Sequence, residues 1–310
     1  MASAATSTLP LPNAVANQNL SHLSQEEQDT LQAAVFQRLH PRLYLEKYIA
    51  EGVRPDGRAF GEGREVSVNV GSISTADGSA LVRMGQTTVV CGVKAEIAEP
   101  ELDRELEGFL VPNLDLPAMC SPKFKPGPPT EEAQVLSDRL NQALITSNFL
   151  PLESLCIHPG KAAWVLYVDA TCINYDGNAF DATLLAMVAA LRNTTLPQAT
   201  YDPETHRTLC SRRAPRVPLK LSASTPISTS FGIFDSKHVL VDPTSFEEPL
   251  LDSSLSIILG DNDDIVSILQ LGSLLVTMEE GGQEVQKDAL VECIKSAKKR
   301  REEVMEEAFK

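Results

Sequence analysis

Apolar residues recur every three or four positions in two segments near the start of the chain. Leu31 and Leu39 follow a Ser-x-x-Glu capping box at residues 24–27, a pattern typical of a helix N-terminus. Pro41 opens the second segment, and Gly52 stands where a C-terminal cap is expected. The pattern predicts two short helices, preceded by a mobile tail over residues 1–23, whose composition offers little to bury.

From Arg64 the spacing changes to short β-branched runs separated by turn residues, which predicts an antiparallel meander up to about residue 98. Helical spacing returns over 131–148, with an apolar stripe, and an apolar strand over 162–173 then leads into a helix over 180–193. The residues of the stripe are Val135, Leu136, Leu140, Leu144 and Ile145.

The second half repeats this order of short strands followed by a helix. Its strands are predicted between residues 228 and 272, with a hairpin turn at Gly-Asp-Asn-Asp-Asp, and a long terminal helix over 284–309. Two runs of strands, each followed by helices, indicate an α+β fold of two similar halves packed together. The expected division is a tail (1–23), N-terminal helices (24–52), a first half (53–200) and a second half (201–310).

Two polar segments interrupt these patterns. Residues 99–130 contain seven prolines, a density that predicts irregular structure. Residues 194–220 are polar and basic around Arg212, which predicts a linker or an excursion.

Composition narrows the function classes. The formal charge of −15 argues against a nucleic-acid binder that works alone by phosphate neutralisation. The six cysteines form no C-x-x-C pair, so neither a zinc site nor a disulfide framework is expected, and a reducing intracellular compartment fits best. Neither a secretory leader nor a membrane-spanning segment is predicted.

The stretch YDGNAFDATLLA at 175–186 is the first candidate for chemistry. A strand, a glycine turn and a helix N-terminus together form a frequent phosphate-binding arrangement, because the first backbone N–H groups of the helix point at the anion. Acidic side chains at Asp176 and Asp181 have the wrong charge for that ligand.

Four motifs occur in the order and spacing of one known family. They are VRPDGR at 53–58, GSALVRMGQTTVVCGV at 78–93, YDGNAFDATLLAMVAAL at 175–191 and VDPTSFEE at 241–248. From about residue 35 to 310 the chain resembles the RNase PH family of phosphorolytic exoribonucleases. The resemblance implies an RNase PH-like fold of two similar β-sheet and helix halves.

The resemblance also identifies degenerate site positions. Active members carry a turn similar to DGGTR, in which the Arg binds the attacking phosphate. Here Asn178 replaces the second Gly, Ala179 replaces the Thr and Phe180 replaces the Arg. An aromatic ring offers a phosphate neither hydrogen-bond donors nor a fixed charge. Asp181 follows and repels an anion at the same place. The phosphate site is therefore predicted to be lost.

A pair of acids six residues apart forms the second element of active members. Asp242 matches the first acid, and Glu248 replaces an Asp with a side chain one methylene longer. A displacement near 1 Å can cost roughly 100-fold in rate. The favoured reading of Asp242, Glu247 and Glu248 is a strand-end turn with solvated acids, and no catalytic residue is expected.

A basic group before and on the 131–148 helix is the third element. Lys123, Lys125 and Arg139 are candidates for a weak hold on RNA phosphates, although solvated loop lysines are the more frequent case. No metal or cofactor is expected. The acids Asp261, Asp263 and Asp264 lack the Gly and Glu of a calcium loop, and His158, His206 and His238 have no second ligand at metal spacing.

The resemblance implies a catalytically inactive, structural subunit of the six-membered ring of RNase PH-like proteins in the RNA exosome. Such a subunit supports 3′-to-5′ processing of ribosomal precursors and turnover of messenger RNA by a separate hydrolytic ribonuclease. Implied partners are the other ring subunits, cap proteins with S1 and KH domains, and RNA in a shared pore; implied locations are nucleus, nucleolus and cytoplasm. Two alternatives stay open: an active phosphate-dependent exoribonuclease, and an adaptor outside any ring.

Overall fold

The structure is a computed structural model that describes residues 25–211, 214–261, 264–280 and 283–308. The chain divides into two compact units, Met1–Arg58 and Ala59–Lys310. In the first unit, helix α1 (Gln25–Leu39) is followed by α2 (Pro41–Ala50). Gly52 has φ +78° and its N–H donates to the Ile49 carbonyl at 2.9 Å, as expected for the residue that ends a helix. The expected tail over 1–23 lies outside the described residues.

The first sheet of the larger unit has the strand order β1-β2-β3-β6-β4, with β5 paired to β6. All of its pairs are antiparallel except β4 with β6. Two helices accompany it, α3 (Glu131–Thr146) and α4 (Ala179–Arg192). The strands are β1 (Val66–Val70), β2 (Gly78–Met84), β3 (Thr87–Ala98), β4 (Phe109–Asp115), β5 (Cys156–His158) and β6 (Ala162–Asn174).

Strand β4 lies inside the stretch predicted to be irregular, so that prediction was wrong for Phe109–Asp115. Pro112 is tolerated because β4 is the edge strand of its sheet, where one side of the backbone needs no partner. Leu114, only 1% exposed, anchors the strand in the core. Burial of this side chain and pairing with β6 outweigh the low strand propensity of the segment.

The second sheet has the order β12-β11-β13-β14, with α5 packed against β11 and β13. The predicted terminal helix began too early, because residues 283–288 form a strand whose backbone pairs with the strand before it. The elements are β11 (Ile227–Phe234), β12 (His238–Val241), β13 (Ser253–Leu259), β14 (Ile265–Leu271), β15 (Leu275–Glu280), β16 (Gln283–Asp288) and α5 (Leu290–Ala308).

The segment between the halves is an excursion with its own backbone pairing. Strand β7 (Thr195–Leu196) pairs with β10 (Val217–Pro218), and β8 (Ala199–Asp202) forms a hairpin with β9 (Arg207–Cys210). No helix in the described part of the chain is both long and apolar enough to cross a membrane.

Helix α4 is the central element of the larger unit. Every residue from Ala179 to Leu191 is buried, and the helix contacts β2 and β3 of the first sheet and β11 of the second. Helix α3 buries Leu140 and Leu144 as predicted, but Val135 and Ile145 are about half exposed, so the predicted stripe is narrower than five residues. The α+β prediction is confirmed.

The N-terminus of α4 lies where both halves meet, because this helix contacts β2 and β3 of the first sheet and β11 of the second.

Candidate functional site

The turn between β6 and α4 packs against the loop that follows β12. Gly177 has φ +77°, and a Cβ atom there would lie 2.5 Å from the backbone of both Thr244 and Ser245. The Ser245 hydroxyl donates to the Asp176 carboxylate at 2.7 Å. Only a glycine permits this approach, and the approach brings both predicted site elements together.

Asp242 forms a buried, two-point ion pair with Arg64. The Arg64 Nε donates to one carboxylate oxygen at 2.8 Å and Nη2 to the other at 2.7 Å. Asp242 is 3% exposed and Arg64 7% exposed. Burial opposes ionisation of the carboxyl, but the hydrogen bonds and charge of Arg64 outweigh it and hold the pKa of Asp242 well below its ordinary value of 3.8. This carboxylate stays ionised.

Arg64 also ties the turn to this pair. Its Nη1 donates to the Asp176 carbonyl at 2.8 Å and to the Thr87 hydroxyl at 3.1 Å, and that hydroxyl donates to the Gly177 carbonyl at 2.9 Å. One side chain that precedes β1 thus joins the turn of the first half to the acid of the second.

Asn178 bridges two carboxylates. Its Nδ2 donates to Asp242 at 2.6 Å and to Asp181 at 2.8 Å. Its backbone has φ +51° and ψ +47°, a left-handed conformation that Asn tolerates better than most residues. The amide separates two negative charges that would otherwise face each other.

Asp181 is directed at the second sheet, where it accepts hydrogen bonds from the Ser228 hydroxyl and, at 2.8 and 2.9 Å, from the backbone N–H and hydroxyl of Ser230. Burial raises the pKa of this carboxyl. It joins α4 to β11.

Glu248 occupies the anion position at the start of α4. Its carboxylate accepts a hydrogen bond from the backbone N–H of Asn178 at 2.7 Å and another from the Tyr175 hydroxyl at 2.7 Å. Burial raises the pKa of Glu248, and burial beside this carboxylate raises that of Tyr175. The chain places its own anion where the strand, turn and helix would present N–H groups to a phosphate.

Phe180 is buried beneath Arg139. The ring is 4% exposed, and the guanidinium carbon lies 4.1 Å from its centroid, a cation–π contact. Among the described residues, Arg139 has neither a hydrogen bond nor an ion pair. Burial lowers its pKa.

Unlike Arg139, which is half buried, Lys123 and Lys125 are exposed. Lys123 is exposed and pairs with Glu132 at 2.8 Å, and its Nζ lies 5.3 Å from the centre of the Tyr175 ring. Lys125 is exposed and is not among the residues that line the cleft beside α4.

That cleft has a volume of about 580 Å³ and lies between α3 and the second sheet. Asn178, Phe180, Glu248 and Arg139 line it, so the structure brings most predicted site residues to one place. Asp242 lies behind Asn178.

The expectation of solvated acids at the end of β12 was wrong. Asp242 and Glu247 are 3% and 1% exposed, and Glu247 accepts hydrogen bonds from the backbone N–H and hydroxyl of Thr244. Sequence reasoning also missed Arg64, whose partner lies 178 positions away along the chain. No local pattern signals that pairing.

The described residues contain no group of three or more side chains placed to hold a metal ion. Asp261 pairs with Arg301, and Asp263 lies outside the described residues. His158 contacts the Tyr201 ring, His206 hydrogen-bonds to the Tyr201 hydroxyl, and His238 contacts the Phe60 ring.

The architecture, in which two halves of sheet and helix meet at the turn between β6 and α4, is that of a known two-domain family. Residues 62–197 match domain 1 of the 3′ exoribonuclease family and residues 224–300 match its domain 2, so the chain belongs to the RNase PH family.

Within that family, the chain is 44% identical over 265 residues to the exosome complex component rrp43 of Schizosaccharomyces pombe, across 86% of this chain and 94% of that protein. It is 37% identical over 220 residues to Rrp42 of Thermococcus gammatolerans, across 71% of this chain and 79% of that protein.

Among solved structures it resembles a chain of the Archaeoglobus fulgidus exosome with RNA bound to the active site, with TM-score 0.70, 31% identity and coverage of 84% and 96% of the two chains. An archaeal exosome core chain gives TM-score 0.67 at 28% identity, with coverage of 89% and 98%.

Proposed function

We propose that this chain is a structural, catalytically silent subunit of the six-membered RNase PH-like ring of an RNA exosome. In that role it supports 3′-to-5′ RNA processing and decay, including maturation of ribosomal precursors and turnover of messenger RNA, by a separate nuclease. Its similarity to exosome components over most of its length supports ring membership. The chemistry of its site supports the absence of catalytic activity.

The observation that carries the proposal is the occupation of the α4 N-terminus by Glu248. Phosphorolysis needs inorganic phosphate bound beside the scissile bond, and the N–H of Asn178 already donates to a carboxylate at 2.7 Å. Two like charges about 4 Å apart repel by roughly 4 kcal/mol at a surface-like dielectric. With Phe180 in place of the phosphate-binding Arg, no side chain at that position offsets this repulsion.

The remaining acid is also unsuited to proton transfer. A general acid must carry a proton at the working pH and release it in the transition state. Arg64 holds the pKa of Asp242 far below neutrality, so this carboxyl has no proton to donate. Asp242 instead stabilises the contact between the halves.

The proposal also implies binding partners and cellular locations. The chain would contact other RNase PH-like subunits of a hetero-hexamer, cap proteins with S1 and KH domains, and an associated hydrolytic ribonuclease. RNA would pass through a pore shared by the ring, in nucleus, nucleolus and cytoplasm.

Incubation of the purified chain with RNA and inorganic phosphate tests the silence. We expect no nucleoside diphosphate to be released. An active RNase PH-like enzyme in the same buffer shows that the assay works, and diphosphate release by the chain itself would establish the rival reading of an active exoribonuclease.

Native mass spectrometry of the complex purified from cells tests the membership. We expect a hetero-oligomer that contains several RNase PH-like paralogues. A complex without such paralogues would identify the chain as an adaptor that uses this fold outside a ring.

A further inference from the structure

The cleft beside α4 has features that neither the absence of catalysis nor membership of a ring explains. Its floor is the face of the second sheet on which Ser230, Ser256 and Leu269 are cross-strand neighbours. The Ser256 hydroxyl has no hydrogen-bond partner among the described residues, although Ser256 is only 8% exposed. A buried hydroxyl without a partner is unusual in a folded protein, and this one lies in the floor of the cleft.

Arg139 supplies the positive charge among the residues that line the cleft. Its guanidinium is half buried, stacks on Phe180, and donates no hydrogen bond to the described residues. Stacking fixes the planar fork in one orientation, so that a carboxylate could be bound by two parallel hydrogen bonds at little further entropic cost.

The rim of the cleft includes an unpaired sheet edge. Strand β14 is the last strand of its sheet, and no described strand pairs with its outer side. Leu271 lines the cleft and is 58% exposed, and Leu269 on the same face of the strand also lines it. An open strand edge offers alternating N–H and C=O groups, which match the main chain of an extended peptide.

We propose that this cleft docks an extended segment of a partner protein. The segment would lie along β14, place an apolar side chain against Leu136 and Leu271, and direct an acidic side chain at Arg139. A nucleic-acid strand fits less well, because it carries a charge on every phosphate, whereas Arg139 is the one cation among the lining residues and Glu248 and Asp252 also line the cleft. The proposal does not depend on ring membership, since an adaptor with this fold would present the same cleft.

Isothermal titration of the full chain with the peptide acetyl-Thr-Leu-Val-Asp-Leu-Ser-amide tests the proposal. We expect saturable binding below about 1 mM, and at least about 10-fold weaker binding for Arg139→Met, which keeps the apolar stem on Phe180 and removes the charged donors. The matched control is Arg83→Met, an exposed arginine on β2, which should leave the affinity unchanged. A peptide with Asn for Asp should bind the wild-type chain about as weakly as Arg139→Met binds the original peptide.

Leu271→Asp provides a second variant, because this exposed side chain can be changed without disturbing the core. It should abolish peptide binding and leave the Tm unchanged. Absence of binding by the wild-type chain, or equal binding by Arg139→Met, would overturn the proposal. So would stronger binding of a six-nucleotide oligouridylate than of the peptide, with the same dependence on Arg139. Diphosphate release in the RNA assay would refute the silent-subunit proposal alone.

Discussion

At the scale of single residues, groups at the catalytic positions of an RNase PH-like site bind one another. Asp242 pairs with Arg64, Asn178 separates Asp242 from Asp181, and Glu248 takes the place of an external anion. Buried polar groups that satisfy each other make a unique arrangement, and loss of one member leaves the others without partners. These mutually bound groups therefore contribute to the stability of the fold.

The Arg64–Asp242 pair gives the first prediction. Asp242→Asn should lower the free energy of unfolding by about 3–5 kcal/mol at neutral pH, because it leaves a buried guanidinium without its counter-charge. Urea unfolding followed by circular dichroism measures the change. Asp169→Asn, on an exposed side chain of β6, is the control and should have little effect.

The difference in unfolding free energy between the wild type and Asp242→Asn should depend on pH in one direction. Arg64 lowers the pKa of the native Asp242 carboxyl below 3.8, so the pair stabilises the fold above that pH and the contribution is lost as the pH falls below it. The gap in unfolding free energy between the wild type and Asp242→Asn should therefore narrow below about pH 3.8. A gap that stays constant down to pH 2 would contradict the assignment.

Glu248 gives the second prediction. Glu248→Ala should free the Asn178 N–H and let inorganic phosphate bind there, with a stabilisation of about 1 kcal/mol, or roughly 2–4 °C in Tm. Thermal unfolding in phosphate and in chloride buffers of equal ionic strength measures it. The wild type and the exposed-site control Glu153→Ala should show no such difference, and the same absence in Glu248→Ala would contradict the role given to the carboxylate.

At the scale of elements, the sequence identified the turn and its helix but not what packs on them. Helical spacing and the glycine locate α4 within one residue, because these are local properties. Strands β4, β15 and β16 were missed, since β4 depends on pairing with β6, and β15 and β16 depend on pairing with each other.

The turn gives the third prediction. Phe180→Arg alone should not create phosphorolysis, because the Glu248 carboxylate still accepts the backbone N–H of Asn178 in front of the helix. The assay is release of nucleoside diphosphates from RNA, compared with the wild-type chain. Measurable activity in this single variant would mean that one side chain alone had silenced the site.

Two glycines with nearly equal φ angles give the fourth prediction. Gly177 (φ +77°) faces backbone atoms at 2.5 Å, whereas the nearest atom to a Cβ at Gly71 (φ +74°) is a side-chain nitrogen at 3.7 Å. Gly71→Ala should cost about 1 kcal/mol of unfolding free energy, through left-handed strain alone. Gly177→Ala should cost several times more, because the turn must separate from residues 243–245. Equal costs in urea unfolding would show that this contact is not tight.

At the scale of the whole molecule, the net charge is the feature that bears most directly on affinity for RNA. The charge of −15 predicts little affinity for a polyanion, and Lys123 already pairs with Glu132. Partners distant in the chain could not be predicted, because neither spacing nor local composition links Arg64 to Asp242.

This charge gives the fifth prediction. The isolated chain should bind single-stranded RNA no more tightly than about 10⁻⁵ M at physiological salt, in the range of non-specific contacts. Lys123→Gln should change that affinity less than twofold, because the ion pair with Glu132 already neutralises this lysine. Fluorescence anisotropy with a labelled oligonucleotide measures both. Submicromolar binding by the chain alone would contradict the prediction.

The close approach of residues 243–245 to Gly177 has an evolutionary consequence. Selection for a correctly folded subunit is enough to keep this glycine whether or not phosphorolysis is also selected, since any side chain there would force the turn away from residues 243–245. A glycine retained in this motif is therefore poor evidence of an active enzyme. Position 180, together with the side chain that accepts the backbone N–H of Asn178, is a better criterion for distinguishing active from inactive members of the family.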